Sequence, residues 1–216
     1  MSRSTARVAE IIREYGPFPG VEHVSGVAYD GRHVWFGAGD AVRALDPAGG
    51  STVRSIEVAA DAGTAFDGRH LFQLAGDRIR KVDPESGRVL ATIPAPGGEG
   101  ASGLAWAEGT LWLGRYRERK IHQVDPESGA ILRTIDSNRF VTGVTWIDGD
   151  LWHGTWEAGE SELRHVDVGT GDVLETLAMP PGVTVSGIDS DGADRFFCGG
   201  GSTGRIRAVR RPRPGP

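Results

Sequence analysis

The sequence predicts an all-β fold: a five-bladed β-propeller with four antiparallel strands per blade. Three observations predict it. A glycine-led apolar stretch recurs at Gly26, Gly63, Gly103, Gly143 and Gly187, in steps of 37, 40, 40 and 44 residues. Each copy holds several short strand-like runs separated by turn residues, and a period of about 40 residues built this way is the pattern of one propeller blade. The fifth copy stops before a fourth strand, and a stretch resembling that strand stands at the other end of the chain.

Within a copy the elements follow one another regularly. The first strand is read at Gly26–Tyr29, Thr64–Phe66, Leu104–Trp106, Val144–Trp146 and Ile188–Ser190. An acidic residue followed by Gly comes next (Asp30-Gly31, Asp67-Gly68, Glu108-Gly109, Asp148-Gly149, Asp191-Gly192), a hairpin signal because Gly enters φ > 0 without a Cβ clash. The second strand carries an aromatic at the same place in each repeat: Trp35, Phe72, Trp112, Trp152 and Phe197. The third alternates apolar and polar residues, as in Ile79-Arg80-Lys81-Val82, which marks a strand with one buried face. The turn Asp-Pro-Glu-Ser-Gly at 83–87 and 125–129, with Asp46-Pro47-Ala48-Gly49-Gly50 as a looser copy, precedes outer strands, which are read at Thr52–Val58, Arg88–Ile93, Ala130–Ile135 and Asp172–Leu177. Residues 6–12 resemble Gly87–Ile93, and the strand at 6–13 is expected to complete the last blade, closing the ring so that no edge is left free to pair.

The whole chain, 1–216, is thus read as one domain, with repeats at about 26–62, 63–102, 103–142, 143–186 and 187–209 plus the strand at 6–13. A net charge of −5 argues against nucleic acid as a partner. No apolar run is long enough to span a bilayer. The first eight residues lack the apolar run of a signal peptide, and Cys198 is the only cysteine, so the expected location is cytoplasmic. Oligomeric state is not encoded in any feature of the pattern.

The blade texture resembles two propeller enzyme families. The Asp-Gly turn, the apolar strand Val34-Trp35-Phe36 and the closing Asp-Pro-Glu-Ser-Gly turn are similar to the streptogramin (virginiamycin B) lyases. The five-blade count is similar to the glutamine cyclotransferases, because the lyases carry seven blades. Matched to the cyclotransferase pattern, Val24-Ser25-Gly26-Val27 stands where a Thr-Gln-Gly-Leu-like strand is found, and Phe36 stands at the position of the family's acid. Gln73-Leu74 and Trp156 keep parts of later motifs. The resemblance implies a lyase- or cyclase-type enzyme acting on a small molecule or peptide. The lyases' His and Glu near a Mg²⁺ ion have a partial echo in His153 beside an acidic loop. A non-catalytic ligand- or protein-binding module is the alternative.

Subtracting the repeat isolates the candidate site. Second-to-third connections in blades one, two and five are small and bland, whereas blade three has Arg115-Tyr116-Arg117-Glu118-Arg119 and blade four has Thr155 to Glu162. A pocket at the channel mouth weighted toward these two blades is therefore expected. His153 is read as an acid/base group with Glu157 orienting it, and Trp156 with Tyr116 as a stacking wall. Arg115 or Arg139 would grip an anionic substrate, with His23, Asp61 and Glu99 on the entering loops. No cofactor is called for, although Glu157, Glu160 and Glu162 offer oxygen ligands for a divalent cation. The alternatives are a His153 bonded to a neighbouring blade, arginines paired with nearby acids, and a solvated acidic loop. Cys198 occupies a slot otherwise filled mostly by apolar residues and reads as a packed thiol.

Overall fold

A computed structural model of the chain describes residues 5–212. It contains strands β1 (Thr5–Val8), β2 (Ile11–Tyr15), β3 (Val27–Tyr29), β4 (Val34–Ala38), β5 (Ala41–Leu45) and β6 (Thr52–Ile56). Blade two is β7 (Thr64–Phe66), β8 (Leu71–Ala75), β9 (Arg78–Val82) and β10 (Val89–Pro94). Blade three is β11 (Ala101–Ala107), β12 (Thr110–Arg115), β13 (Lys120–Val124) and β14 (Ile131–Asp136). Blade four is β15 (Phe140–Ile147), β16 (Asp150–Glu157), β17 (Glu160–Val166) and β18 (Val173–Ala178), and blade five begins with β19 (Gly187–Ser190), β20 (Arg195–Gly199) and β21 (Ile206–Arg210). The sheets are ordered β3-β4-β5-β6, β7 to β10, β11 to β14 and β15 to β18, with β19-β20-β21-β2 closing the ring. The five-bladed propeller is thereby the fold, and the N-terminal segment completes its last blade. No helix among the described residues is long and apolar enough to cross a membrane.

The N-terminal segment differs from expectation in one respect. It is two strands and not one. β1 adds in parallel to the outer edge of blade four, with Thr5 opposite Glu175 and Val8 opposite Ala178. The chain then steps across to blade five, where Ile11–Tyr15 pairs antiparallel with β21. Ala9 makes the step because it is small enough to be buried in the cluster between blades four and five, while its N–H donates to Ala178.

The repeat glycines have a steric cause. A Cβ on Gly26 would lie 2.4 Å from Thr64 N, one on Gly63 2.4 Å from Leu104 N, and one on Gly103 2.7 Å from Gly143 Cα. One on Gly143 would lie 2.8 Å from Gly187 Cα, and one on Gly187 2.6 Å from the Ser25 carbonyl. The five inner strands thus touch backbone to backbone in a closed ring, at distances no side chain survives. The recurring aromatics fill the wider space between blades: Trp35, Phe72, Trp112, Trp152 and Phe197 are all buried. In the hairpin turns the Asp carboxylate caps its own loop. Asp30 accepts from the Arg32 and His33 N–H groups and from Trp35 Nε1 at 2.7 Å.

Candidate functional site

The residue before each ring glycine is Ser25, Ala62, Ser102, Thr142 or Ser186. Strand alternation turns these five toward one mouth of the axial channel, where they form the floor of a cavity of about 370 Å³. Each hydroxyl packs over a second-strand glycine: a Cβ on Gly37, Gly114, Gly154 or Gly199 would lie 2.3 to 3.1 Å from the Oγ of Ser25, Ser102, Thr142 or Ser186 respectively. Blade two replaces this pair with Ala62 and Leu74, which share one apolar cluster. Ser25 donates to the Ala60 carbonyl at 2.9 Å, Ser102 to Val141 at 2.6 Å, and Ser186 to Val24, so three of the four hydroxyls staple their blade to the next. Thr142 Oγ1 is the exception and has no partner.

The wall of the cavity comes from blades three and four. Tyr116 stacks on Phe140 at 4.9 Å between ring centroids, and Phe140 on Trp156 at 6.3 Å. The Arg119 guanidinium lies 4.5 Å from the Phe140 ring centre. Tyr116 and Trp156 line the cavity, as do His23 and Asp61 at its rim.

The other sequence-predicted residues lie elsewhere. His153 is buried, 1% exposed, and looks sideways into a cleft between blades three and four with Asn138 and Arg164. Burial above all, with the nearby Arg164 charge, pushes its pKa down to about 3, so the ring is neutral. Its Nδ1 has no hydrogen-bond partner. Glu157 sits four residues further along the same strand, roughly 13 Å away at a strand's rise per residue, so the two do not meet. Glu157 instead accepts from Arg119 at 3.1 Å. Arg115 is 3% exposed and fully engaged: its guanidinium donates to the Gly97 and Gly98 carbonyls and to Glu118. Arg139 faces Glu162 at 3.5 Å and Glu160 at 3.9 Å. Glu162 also accepts from Arg164. Neither Arg115 nor Arg139 lines the mouth, and Glu99 is exposed outside it. The acidic loop's glutamates are therefore paired with arginines, and among the described residues no three His, Cys, Asp or Glu side chains gather as metal ligands. Cys198 is buried, and desolvation raises its thiol to about 12, consistent with a packed side chain.

The hydroxyl floor was missed by sequence reasoning, although a signal existed. The residue preceding each repeat glycine reads Ser, Ala, Ser, Thr, Ser, and small polar residues at a fixed register beside the axis are unusual for a core position.

Solved structures carry the same architecture. A glutaminyl cyclase from Myxococcus xanthus superposes with a TM-score of 0.79, covering 96% of this chain and 98% of that one. The two share a fold. Their sequences are 20% identical, so the likeness extends to the scaffold alone. No protein-family model matches this chain, and no curated protein does. At the position of the cyclotransferase acid, Phe36 is fully buried and stacks on Phe18 at 4.9 Å.

Proposed function

We propose that the channel mouth binds a small polar molecule or the end of a peptide, seated on the hydroxyl floor and held against the Tyr116–Trp156 wall. The observation that carries this reading is convergence. Tyr116 and Trp156, which break the repeat, meet residues from all five blades around a single cavity of about 370 Å³. That volume suits a metabolite of amino-acid or dipeptide size. The wall supplies apolar area and the floor supplies orientation.

A cyclase-type reaction is the catalytic form of the same reading, supported by the fold shared with the glutaminyl cyclase. The mouth then offers Asp61 and His23 for proton transfer, in place of His153. The test separates the two forms. Purified protein is titrated with glutaminyl dipeptides while melting temperature and ammonia release are followed. A concentration-dependent rise in melting temperature that Trp156→Ala abolishes supports the binding reading. Ammonia release that Asp61→Asn suppresses supports the cyclase. Binding unaffected by Trp156→Ala and Tyr116→Ala refutes both forms.

A further inference from the structure

The polarity of the mouth indicates what class of ligand it takes, an inference that rests on the binding reading above. A hydroxyl has one proton to donate. In Ser25, Ser102 and Ser186 that proton is spent on a carbonyl of the next blade, and in Thr184 on the Gly200 carbonyl at 3.1 Å. These four oxygens therefore present only lone pairs to a ligand. The lining contains no Lys or Arg. Its one carboxylate, Asp61, has no ion-pair partner among the described residues. Its Oδ1 accepts from Gly76 N at 3.2 Å, and among the described residues Oδ2 has no donor. Of the arginines nearest in sequence to the wall, Arg115 is engaged by Gly97, Gly98 and Glu118, Arg119 by Glu157 and Asn138, and Arg139 faces Glu160 and Glu162, while the exposed Arg117 does not line the cavity. The aromatic ladder already carries one guanidinium, Arg119, over its middle ring.

We propose that the mouth selects a small organic cation bearing N–H donors, a primary ammonium or guanidinium group, over carboxylates and phosphates. With no Lys or Arg in the lining, an anion finds no opposite charge there and is repelled by Asp61, whereas an ammonium brings three donors to the hydroxyl lone pairs and a charge that Asp61 and the ring faces attract. This reverses the anionic substrate suggested by the arginine-rich loops. Arg115, Arg119 and Arg139 pair with acids or carbonyls, and none of the loop arginines lines the cavity.

The test uses three ring compounds of matched size on the full chain by calorimetric titration: benzylamine, benzyl alcohol and benzoate. Benzylamine is expected to bind at least tenfold more tightly than benzoate. Asp61→Asn should weaken it at least fivefold, and Asp61→Lys should reverse the order of the two. Asp77→Asn, an exposed carboxylate of the same blade outside the cavity, should change nothing. Benzoate binding as tightly as benzylamine overturns the proposal, as does benzylamine affinity indifferent to both Asp61 variants. If benzyl alcohol and benzoate bind in a Trp156-dependent way and the amine does not, cation selection falls while the binding reading stands. Binding of none of the three counts against both.

Discussion

The Ser102 hydroxyl donates to the Val141 carbonyl at 2.6 Å, joining blade three to blade four immediately beside the glycine ring. The equivalent hydroxyl one blade on, Thr142 Oγ1, is buried without a partner. Ser102→Ala is expected to cost about 1–2 kcal/mol, since it removes a hydrogen bond and leaves a carbonyl lone pair unmatched. Thr142→Val removes an oxygen that already lacks a partner and should leave stability unchanged or raise it by up to about 1 kcal/mol. Urea denaturation of both variants checks the contrast, and equal losses would contradict it.

The glycine ring makes a sharper distinction. Alanine at Gly143 would place a Cβ 2.8 Å from the Gly187 backbone, which neither inner strand is free to vacate. Alanine at Gly149, at φ +88°, meets no atom within 4 Å and suffers only backbone strain. Gly149→Ala should cost about 1–2 kcal/mol. Gly143→Ala should cost more than about 3 kcal/mol or prevent folding. Thermal melts of the pair give the answer.

His153 takes the place that Leu113 occupies in blade three, and its neutral ring contributes an unsatisfied nitrogen to the interface. Its folded pKa of about 3 lies below the ordinary 6.5, so the unfolded chain binds the proton first. Its stability contribution is complete above pH 6.5 and is lost as pH falls toward 3. At pH 5 the loss is about 2 kcal/mol. Measured against His153→Leu, the wild type should lose ground steadily between pH 7 and pH 4.5. A difference independent of pH would mean that the ring is not desolvated.

Asp189 has the opposite sign. It lies on the first strand of blade five, at the register held by Ala28, Ala65, Ala105 and Thr145 in the other blades. Thr145 Oγ1 donates to it at 2.7 Å and Tyr29 N at 2.6 Å, but desolvation dominates and raises the carboxyl to about 6. It retains some accessible surface, so the penalty is no more than about 3 kcal/mol. The unfolded carboxyl ionises near 3.8, so stability is lost as pH rises from there through 6. Relative to Asp189→Asn, the wild type should be most stable below about pH 4 and decline to a plateau by pH 7.

These two groups show why the fold was legible in the sequence and the site only in part. Blade elements repeat, so the inner strands and their acidic-Gly turns recur five times and the outer strands four, and glycine at the axis leaves its mark wherever backbones touch. The site has no such redundancy. Tyr116 and Trp156 were found because they break the repeat, and they do line the mouth. His153 and Arg115 break it equally, yet one faces sideways between blades and the other knots a glycine loop. Which face a side chain takes depends on strand parity and loop path. A deviation from the repeat marks a special position without saying whether it serves ligand or scaffold.

Closure of the ring should depend on the second N-terminal strand and hardly on the first. β1 contributes four residues to an outer edge, with Val8 77% exposed, so among the described residues deleting 1–9 removes chiefly the small buried side chain of Ala9. β2 does more. It caps β21, buries Tyr15, and sends the Tyr15 hydroxyl to the Pro47 carbonyl at 3.0 Å, while Arg13 donates to Pro47 and Ala48. It therefore ties blade five to blade one. Deleting residues 1–9 should lower stability by about 1–2 kcal/mol. Deleting residues 1–15 should cost more than about 4 kcal/mol and expose β21 as a pairing edge, giving association or insolubility. A synthetic peptide of residues 1–15 added during refolding should restore the melt of the full chain in proportion to its concentration, because it binds only the folded ring. If the 1–15 deletion melts like the full chain, the seam is held by the loops between blades and not by this strand.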